Sequence, residues 1–384
     1  MQRSQPDLRP FASTVSWLSE MPMLEITGLC GYQDQLRGDH HLSKDELADH
    51  LRNYVESFHL NVITSVKIVS TVYDKSTKRW NVKTNTLTVN LTVTAKHLVQ
   101  ATGIVSQKPY VPTIPDKNLF RGISIHSSEY KNGQTLVDQG VKSVLIIGSA
   151  NTAFDILGDC QAAGLQATMN IRSPTYIVPV GYTRDIWSLG AYDLGVAVAD
   201  RMFLTLPAVT LRKAGFPILN SADQSQALWS NLIERPGGHY IDTGGTEILA
   251  QGKAGIKAGV EPTAFTETGL LLSDRRTVDA DAVIRCTRFA DHDVCDTAID
   301  ILGNQATDSE SLLGPREIAT RFAATWGVGS EGGIRGMWKH HLHLKNYWVT
   351  GGFTVQHRWY PRVLALQIKA ALEGILPPAY RTSE

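Results

Sequence analysis

The chain has 384 residues, 37 basic and 37 acidic side chains, 42% hydrophobic residues and four cysteines. That length suits two domains with a real core, and zero formal charge leaves no basic footprint for nucleic acid or an anionic membrane. No apolar run reaches the roughly 18 residues of a membrane span, no secretory h-region opens the chain, and Cys30, Cys160, Cys286 and Cys295 form no C-x-x-C. A cytosolic protein with reduced thiols and a small-molecule ligand is expected.

Residues 1 to about 40 are interrupted by Pro6, Pro10, Pro22, Gly28, Gly31 and Gly38, which predicts loops. Ser43 and Glu46 form a capping box before Leu47, Leu51, Val55 and Phe58, which share a helical stripe and predict an amphipathic helix packed on something larger. Strands follow over Asn61–Val72, Arg79–Lys83 and Leu87–Thr94, with a turn at Asp74–Lys78, giving a small β-meander. Lys96–Gly103 is a short apolar strand ending in Ala-Thr-Gly, and Pro109, Pro112 and Pro115 after it mark a crossing between domains.

The strongest unit begins at Lys142–Ile147, an apolar strand that runs through Gly148-Ser149-Ala150-Asn151-Thr152 into a helix. Ala153, Ile156, Leu157 and Cys160 form its buried face, Gly164 ends it, and a second strand spans Ala167–Ile171. Such a strand–turn–helix offers free N–H groups and the positive end of a helix dipole to a pyrophosphate. Against the pattern G-x-G-x-x-G, Ala153 in the third place still allows close helix packing, whereas Ala150 in the second sets a methyl group where the phosphates approach. The second strand ends in Arg172-Ser173 instead of an acidic residue, a choice that favours the 2′-phosphate of NADP over the 2′-hydroxyl of NAD. The plain alternatives are a ligand-free turn at Gly148 and an ordinary surface arginine at Arg172.

Beyond Tyr182, segments Leu194–Leu211 and Ser225–Ile233 read as helical, and His239–Ile284 as Gly-rich and β-like, closing in the apolar strand Asp281–Thr287. Asn346–Thr350 reads as a strand, Gly351-Gly352 as a turn, and Pro361 opens a helix with Leu364, Ile368 and Leu372 on one face.

Phe120, Gly122, His126 and Tyr130 together meet the pattern F-x-G-x-x-x-H-x-x-x-(Y/F/W), just upstream of the Lys142 strand. With Ala101-Thr102-Gly103 and Arg172-Ser173-Pro174, these residues resemble the flavin-containing monooxygenases and the related Baeyer–Villiger enzymes, most of all fungal members, over roughly residues 40 to 384. The resemblance implies an α/β fold of two dinucleotide-binding, Rossmann-like domains. The FAD-type domain is incomplete and discontinuous (1–105, with a C-terminal return over 291–384), and the NADP-type domain (106–290) is inserted in it. It implies cofactor contacts at Thr102, Gly103, His126, Gly148, Ser149, Ala150, Asn151, Thr152, Arg172, Ser173, Gly351 and Gly352. His126 is as readily a structural histidine joining linker to domain as a residue with a direct role.

In such enzymes NADPH reduces FAD, and the reduced flavin activates O₂ to oxygenate a nitrogen, sulfur or ketone carbon, often in secondary metabolism. The resemblance has two departures. The strand and G-x-G-x-x-G that hold the FAD diphosphate have no counterpart here, since Gly28-Leu29-Cys30-Gly31 leads into no helical pattern. Cys286-Thr287-Arg288-Phe289 stands where the family reads T-G-(Y/F), and an arginine does not readily take a positive φ. The competing expectations are therefore a flavin-free, non-redox relative (a cyclase, isomerase or binding protein) and a truncated product. FAD stays in question while NADP is expected. The partner is a small molecule, with no nucleic acid or membrane and a candidate homodimer.

Three weaker constellations have bland readings. Lys339-His340-His341-Leu342-His343 would put His341 and His343 on one side of a strand, where a solvated basic edge is favoured over zinc. Asp291-His292-Asp293 suits a helix cap better than a cation site. Trp326, Trp338, Trp348, Trp359 and Tyr360 suit core and rim better than a flavin pocket. No metal site and no catalytic side chain is assigned.

Overall fold

In the computed structural model the described residues are 44–86, 89–102, 109–179, 213–219, 238–289, 294–303, 309–322, 334–351, 357 and 360–379. In chain order, α1 (Lys44–Ser57), β1 (Lys67–Asp74), β2 (Arg79–Asn85), β3 (Asn90–Ala95) and β4 (Leu98–Gln100) come first. Then follow β5 (Ile123–His126), α2 (Gly133–Asp138), β6 (Ser143–Ile147), α3 (Asn151–Ala162), β7 (Gln166–Ile171), β8 (Tyr176–Pro179) and β9 (His239–Asp242). Next are α4 (Gly245–Ala250), β10 (Gly255–Ala258), β11 (Pro262–Phe265), β12 (Gly269–Leu272), β13 (Thr277–Asp279) and β14 (Ala282–Arg285). The last are α5 (Val294–Leu302), β15 (Leu312–Leu313), α6 (Pro315–Ala319), β16 (Tyr347–Val349) and α7 (Tyr360–Glu373). Two compact units result, Met1–Ser106 with Asp291–Glu384, and Gln107–Ala290.

In the first unit an antiparallel sheet runs β15-β1-β2-β3 and a parallel pair joins β16 to β4. Trp80 is its pivot: fully buried, it packs on Tyr73 and Tyr347 with ring centres 4.8 and 5.1 Å away, and its indole N–H donates to the carbonyl of Asn346 at 2.9 Å. Trp338 and Trp348 join the same core, as the bland reading of the tryptophans expects.

Several local expectations need correction. The strand predicted from Asn61 begins only at Lys67, and Val62 and Ile63 are exposed. Leu51 of α1 and Leu372 of α7, both assigned to buried stripes, are half exposed, because a helix of either length has more apolar positions than its neighbours cover. His341 and His343 are not on a strand. His341 is buried edge-on against Phe322 at 5.3 Å, while His343 faces solvent. A short helix, α4, interrupts the stretch expected to be β-like after His239. The expected helices at 194–211 and 225–233, the residues Ser43, Cys30, Asp291-His292-Asp293, Trp326 and Trp359 lie outside the described residues.

The second unit is built on a five-stranded parallel sheet in the order β10-β7-β6-β14-β5. Side chains alternate across it. Val144, Ile146, Ala282, Ile284 and Met169 pack with Ala153, Phe154, Ile156, Leu157 and Cys160 of α3, and Leu145 and Val283 pack with the β11–β13 meander on the other face. Each of the larger buried aliphatic side chains contributes about 2 kcal/mol from lost water contact. Among the described residues no helix is long and apolar enough to cross a membrane.

Candidate functional site

The strand order places β6 between β7, reached through α3, and β14, reached from the opposite direction. The crevice at the carboxyl ends of β6 and β14 is therefore the topological switch point, where open α/β sheets bind ligands. Gly148 stands at that point with φ +132°, and a Cβ there would lie 2.7 Å from the carbonyl oxygen of Cys286. Both the conformation and the approach of the strand after β14 require glycine.

Around the turn, side chains are held by other side chains and by backbone. Ser149 Oγ and Thr175 Oγ1 are 2.5 Å apart, and Thr175 is buried. Asn151 Oδ1 accepts from the backbone N–H of Ile241 at 2.8 Å, tying β9 to the first turn of α3. Ala150 is the N-cap of α3 and supplies no side-chain cap, while Thr152 is exposed on the first turn. Arg172 and Ser173 follow β7 at the surface, with the Arg172 guanidinium 3.8 Å from the Glu261 carboxylate. Both of those side chains are more than half exposed, so the pair is weak and exchangeable for a ligand phosphate. A free helix terminus, a glycine turn and an exchangeable arginine fit a dinucleotide phosphate.

The motif residues at Phe120, Gly122, His126 and Tyr130 are brought together as fasteners of the sheet edge. Phe120 packs on Phe265 with ring centres 5.4 Å apart, and a Cβ at Gly122 would strike the Asp281 carbonyl oxygen at 2.3 Å. Tyr130 donates to Asp159 Oδ2 of α3 at 2.6 Å, and burial and that bond push its phenol above the usual range. His126 is 1% exposed, with Nε2 on the Arg288 carbonyl at 3.0 Å and Nδ1 accepting from the N–H of Ser128 at 3.1 Å. Both ring nitrogens thus have partners within the fold, as a structural histidine requires. Arg288 corrects a further expectation: it holds φ +73°, because that carbonyl also accepts from the N–H of Tyr110 at 3.0 Å.

In the first unit, Thr102 Oγ1 accepts from Gln100 at 3.0 Å, and the Gln100 carbonyl accepts from the N–H of Thr350 at 2.9 Å. Thr102 and Gly351 thus sit together beyond the carboxyl ends of the parallel pair β4 and β16, and Gly103 and Gly352 lie outside the described residues.

Two features escaped sequence reading. Arg285, the last residue of β14, is 5% exposed, and burial lowers the pKa of its guanidinium, opposed by Glu129. Its signal was a single charge inside the apolar run Ala282-Val283-Ile284-Arg285-Cys286. The other is a cavity of about 530 Å³ at the amino ends of β5 and β6, lined by Phe120, Arg121, Gly122, Ser143, Glu267 and Asp281, at the opposite edge from the turn.

A family model for pyridine nucleotide-disulphide oxidoreductases matches residues 21–178. The indole-3-pyruvate monooxygenase YUCCA1 of Oryza sativa subsp. japonica is 24% identical over 255 residues, 64% of this chain and 59% of that protein. The probable indole-3-pyruvate monooxygenase YUCCA10 of Arabidopsis thaliana is 31% identical over 173 residues, covering 44% of this chain and 43% of that protein. The chain thus spans less than two thirds of the length of these relatives. The ε-caprolactone-bound structure of cyclohexanone monooxygenase aligns with a TM-score of 0.59 at 15% identity, over 91% of this chain and 78% of that one. The NADP⁺-bound cyclohexanone monooxygenase of Rhodococcus sp. Phi1 aligns with a TM-score of 0.52 at 14% identity, over 89% and 72%.

Fold and turn define an α/β protein of the class built from two dinucleotide-binding domains. Within that class, the named proteins that the chain is similar to are monooxygenases.

Proposed function

We propose that this chain binds NADPH at the turn between β6 and α3 and serves a flavin-dependent monooxygenase reaction, in which NADPH, FAD and O₂ oxygenate a small organic substrate. The observation that carries this reading is the switch-point turn itself, with Gly148 at φ +132° and Arg172 at the end of the neighbouring strand. When bound, NADPH supplies the hydride for flavin reduction. The chain's own part is to seat the phosphates on the first turn of α3 and, through Arg172, to prefer the 2′-phosphorylated cofactor.

The curated relatives, named for indole-3-pyruvate, favour a ketone carbon over nitrogen or sulfur as the oxygenated centre. On this reading residues 1–105 and 291–384 are the FAD-type domain, with Thr102 and Gly351 on its cofactor edge, and 106–290 is the NADP domain. We also place the protein in the cytoplasm and in secondary metabolism, acting on a small molecule, with a homodimer to be tested by solution mass.

The test is the spectrum of purified protein after reconstitution with FAD, followed by NADPH oxidation. Flavin absorbance near about 450 nm and NADPH consumption are expected. Absence of both sinks this reading in favour of a flavin-free relative. Separately, Arg172→Ala is expected to lower affinity for NADP⁺ and leave NAD⁺ unchanged; equal affinities before and after would move the ribose site elsewhere.

A further inference from the structure

The apolar strand β14 ends in a buried cation, Arg285, that forms no ion pair among the described residues. Ala282 and Ile284 face α3, Val283 faces the β11–β13 meander, and Arg285 falls on Val283's side at the carboxyl edge. It is in register with Ile147, the residue before Gly148, on one side and with His126 on the other. Arg285 is therefore at the switch point between β6 and β14.

Its Nε has no hydrogen-bond partner, and among the described residues no carboxylate lies within ion-pair distance of the guanidinium. Glu129, in the turn just beyond the carboxyl end of β5, is the acidic group that acts on it. The Glu129 carboxylate is already engaged, accepting from the backbone N–H of His126 at 3.1 Å. An arginine buried without a counter-charge is costly, and an apolar side chain of similar volume would be neutral or better for the apo fold. A ligand anion resolves the cost. The phosphate turn needs such help, since Ala150 carries a methyl group where the phosphates approach, and Ser149 and Asn151 are turned to Thr175 and Ile241.

We propose that Arg285 receives the pyrophosphate of the nicotinamide dinucleotide at the β6–β14 crevice, as the counter-charge that the turn lacks. This rests on the NADPH reading above. The guanidinium supplies charge-assisted hydrogen bonds, which are about twice as strong as neutral ones. Because the pyrophosphate is common to both cofactors, Arg285 raises affinity for NADP⁺ and NAD⁺ alike, in contrast to Arg172.

The experiment uses the full chain as wild type, Arg285→Leu, Arg285→Met and Arg285→Lys, with NADP⁺, NAD⁺, inorganic pyrophosphate and indole-3-pyruvate as probes in titrations and thermal melts. Arg285→Leu and Arg285→Met are expected to melt at or above the wild-type temperature without ligand. They should bind NADP⁺ and NAD⁺ about tenfold or more weakly and lose the stabilisation by pyrophosphate. Arg285→Lys should retain binding to within about fivefold. If wild type binds neither nucleotide yet is stabilised by pyrophosphate through Arg285, the phosphate site stands and the NADPH reading falls. Nucleotide affinities within about twofold of wild type in both apolar variants overturn the inference and leave the NADPH reading intact. It is equally overturned if no probe stabilises the wild type, or if only indole-3-pyruvate binding weakens, since the cation would then serve a substrate carboxylate.

Discussion

Nε2 of His126 lies 3.0 Å from the backbone carbonyl oxygen of Arg288, 162 residues further along the chain. A carbonyl only accepts, so Nε2 donates and Nδ1 accepts from the N–H of Ser128. The imidazole thereby joins the end of β5 to the residue that leaves β14 in a left-handed conformation. Removing it as His126→Ala should cost about 2–3 kcal/mol, by loss of buried hydrogen bonds and of packing, read as a drop in urea midpoint.

The left-handed backbone at Arg288 sets a contrast between two replacements. Arg288→Gly should keep the melting temperature or raise it by up to about 1 kcal/mol equivalent, while the β-branched Arg288→Val should lose about 1–2 kcal/mol. Equal behaviour of the two variants would mean that the positive φ is not held in solution.

At Gly148, alanine meets both a φ of +132° and the Cys286 carbonyl oxygen. Gly148→Ala should destabilise by about 2 kcal/mol or more and abolish NADP⁺ binding, checked by denaturation and titration on the same sample.

Tyr130 and Asp159 form a charge-assisted bond between the motif and α3, and Asp159 also accepts from the N–H of Gly133 at 2.7 Å. Tyr130→Phe removes only the hydroxyl and should lower stability by about 1–3 kcal/mol with little change in fold, as judged by circular dichroism.

Two thiols and one carboxylate contribute to the pH profile. Burial pushes the Cys286 thiol up to about 12 and the Cys160 thiol up to about 11 from an ordinary 9.0. Their contribution is complete below pH 9 and is lost as pH rises toward 12, because the unfolded chain releases those protons first. Cys286→Ala should flatten the alkaline fall in stability. Both thiols should also resist iodoacetamide at pH 8 until the chain unfolds.

On the acid side, the backbone N–H groups of Lys142 and Ser143 hold the Asp281 carboxyl below the usual range, each at 2.9 Å. Its stabilisation is present above the ordinary carboxylate range and is lost as pH falls through the lowered value. Asp281→Asn should remove this acid dependence at a cost of about 1 kcal/mol at neutral pH, the group being exposed. An unchanged acid midpoint in that variant would assign the dependence to another carboxylate.

The sequence by itself determined the β6–turn–α3–β7 unit, since its signals are local: an apolar strand, a glycine and a helical stripe within about 30 residues. It also determined that nothing in the net charge favours nucleic acid. Only the tertiary structure decided that His126 fastens Arg288, that Asn151 is engaged by Ile241, that Leu51 and Leu372 are half exposed, and that Arg285 is buried at the switch point with its Nε unpartnered. Each of these depends on which strands become neighbours, β14 between β6 and β5 above all. Periodicity reports the faces of one element, whereas partners about 90 or more residues apart are set by sheet order.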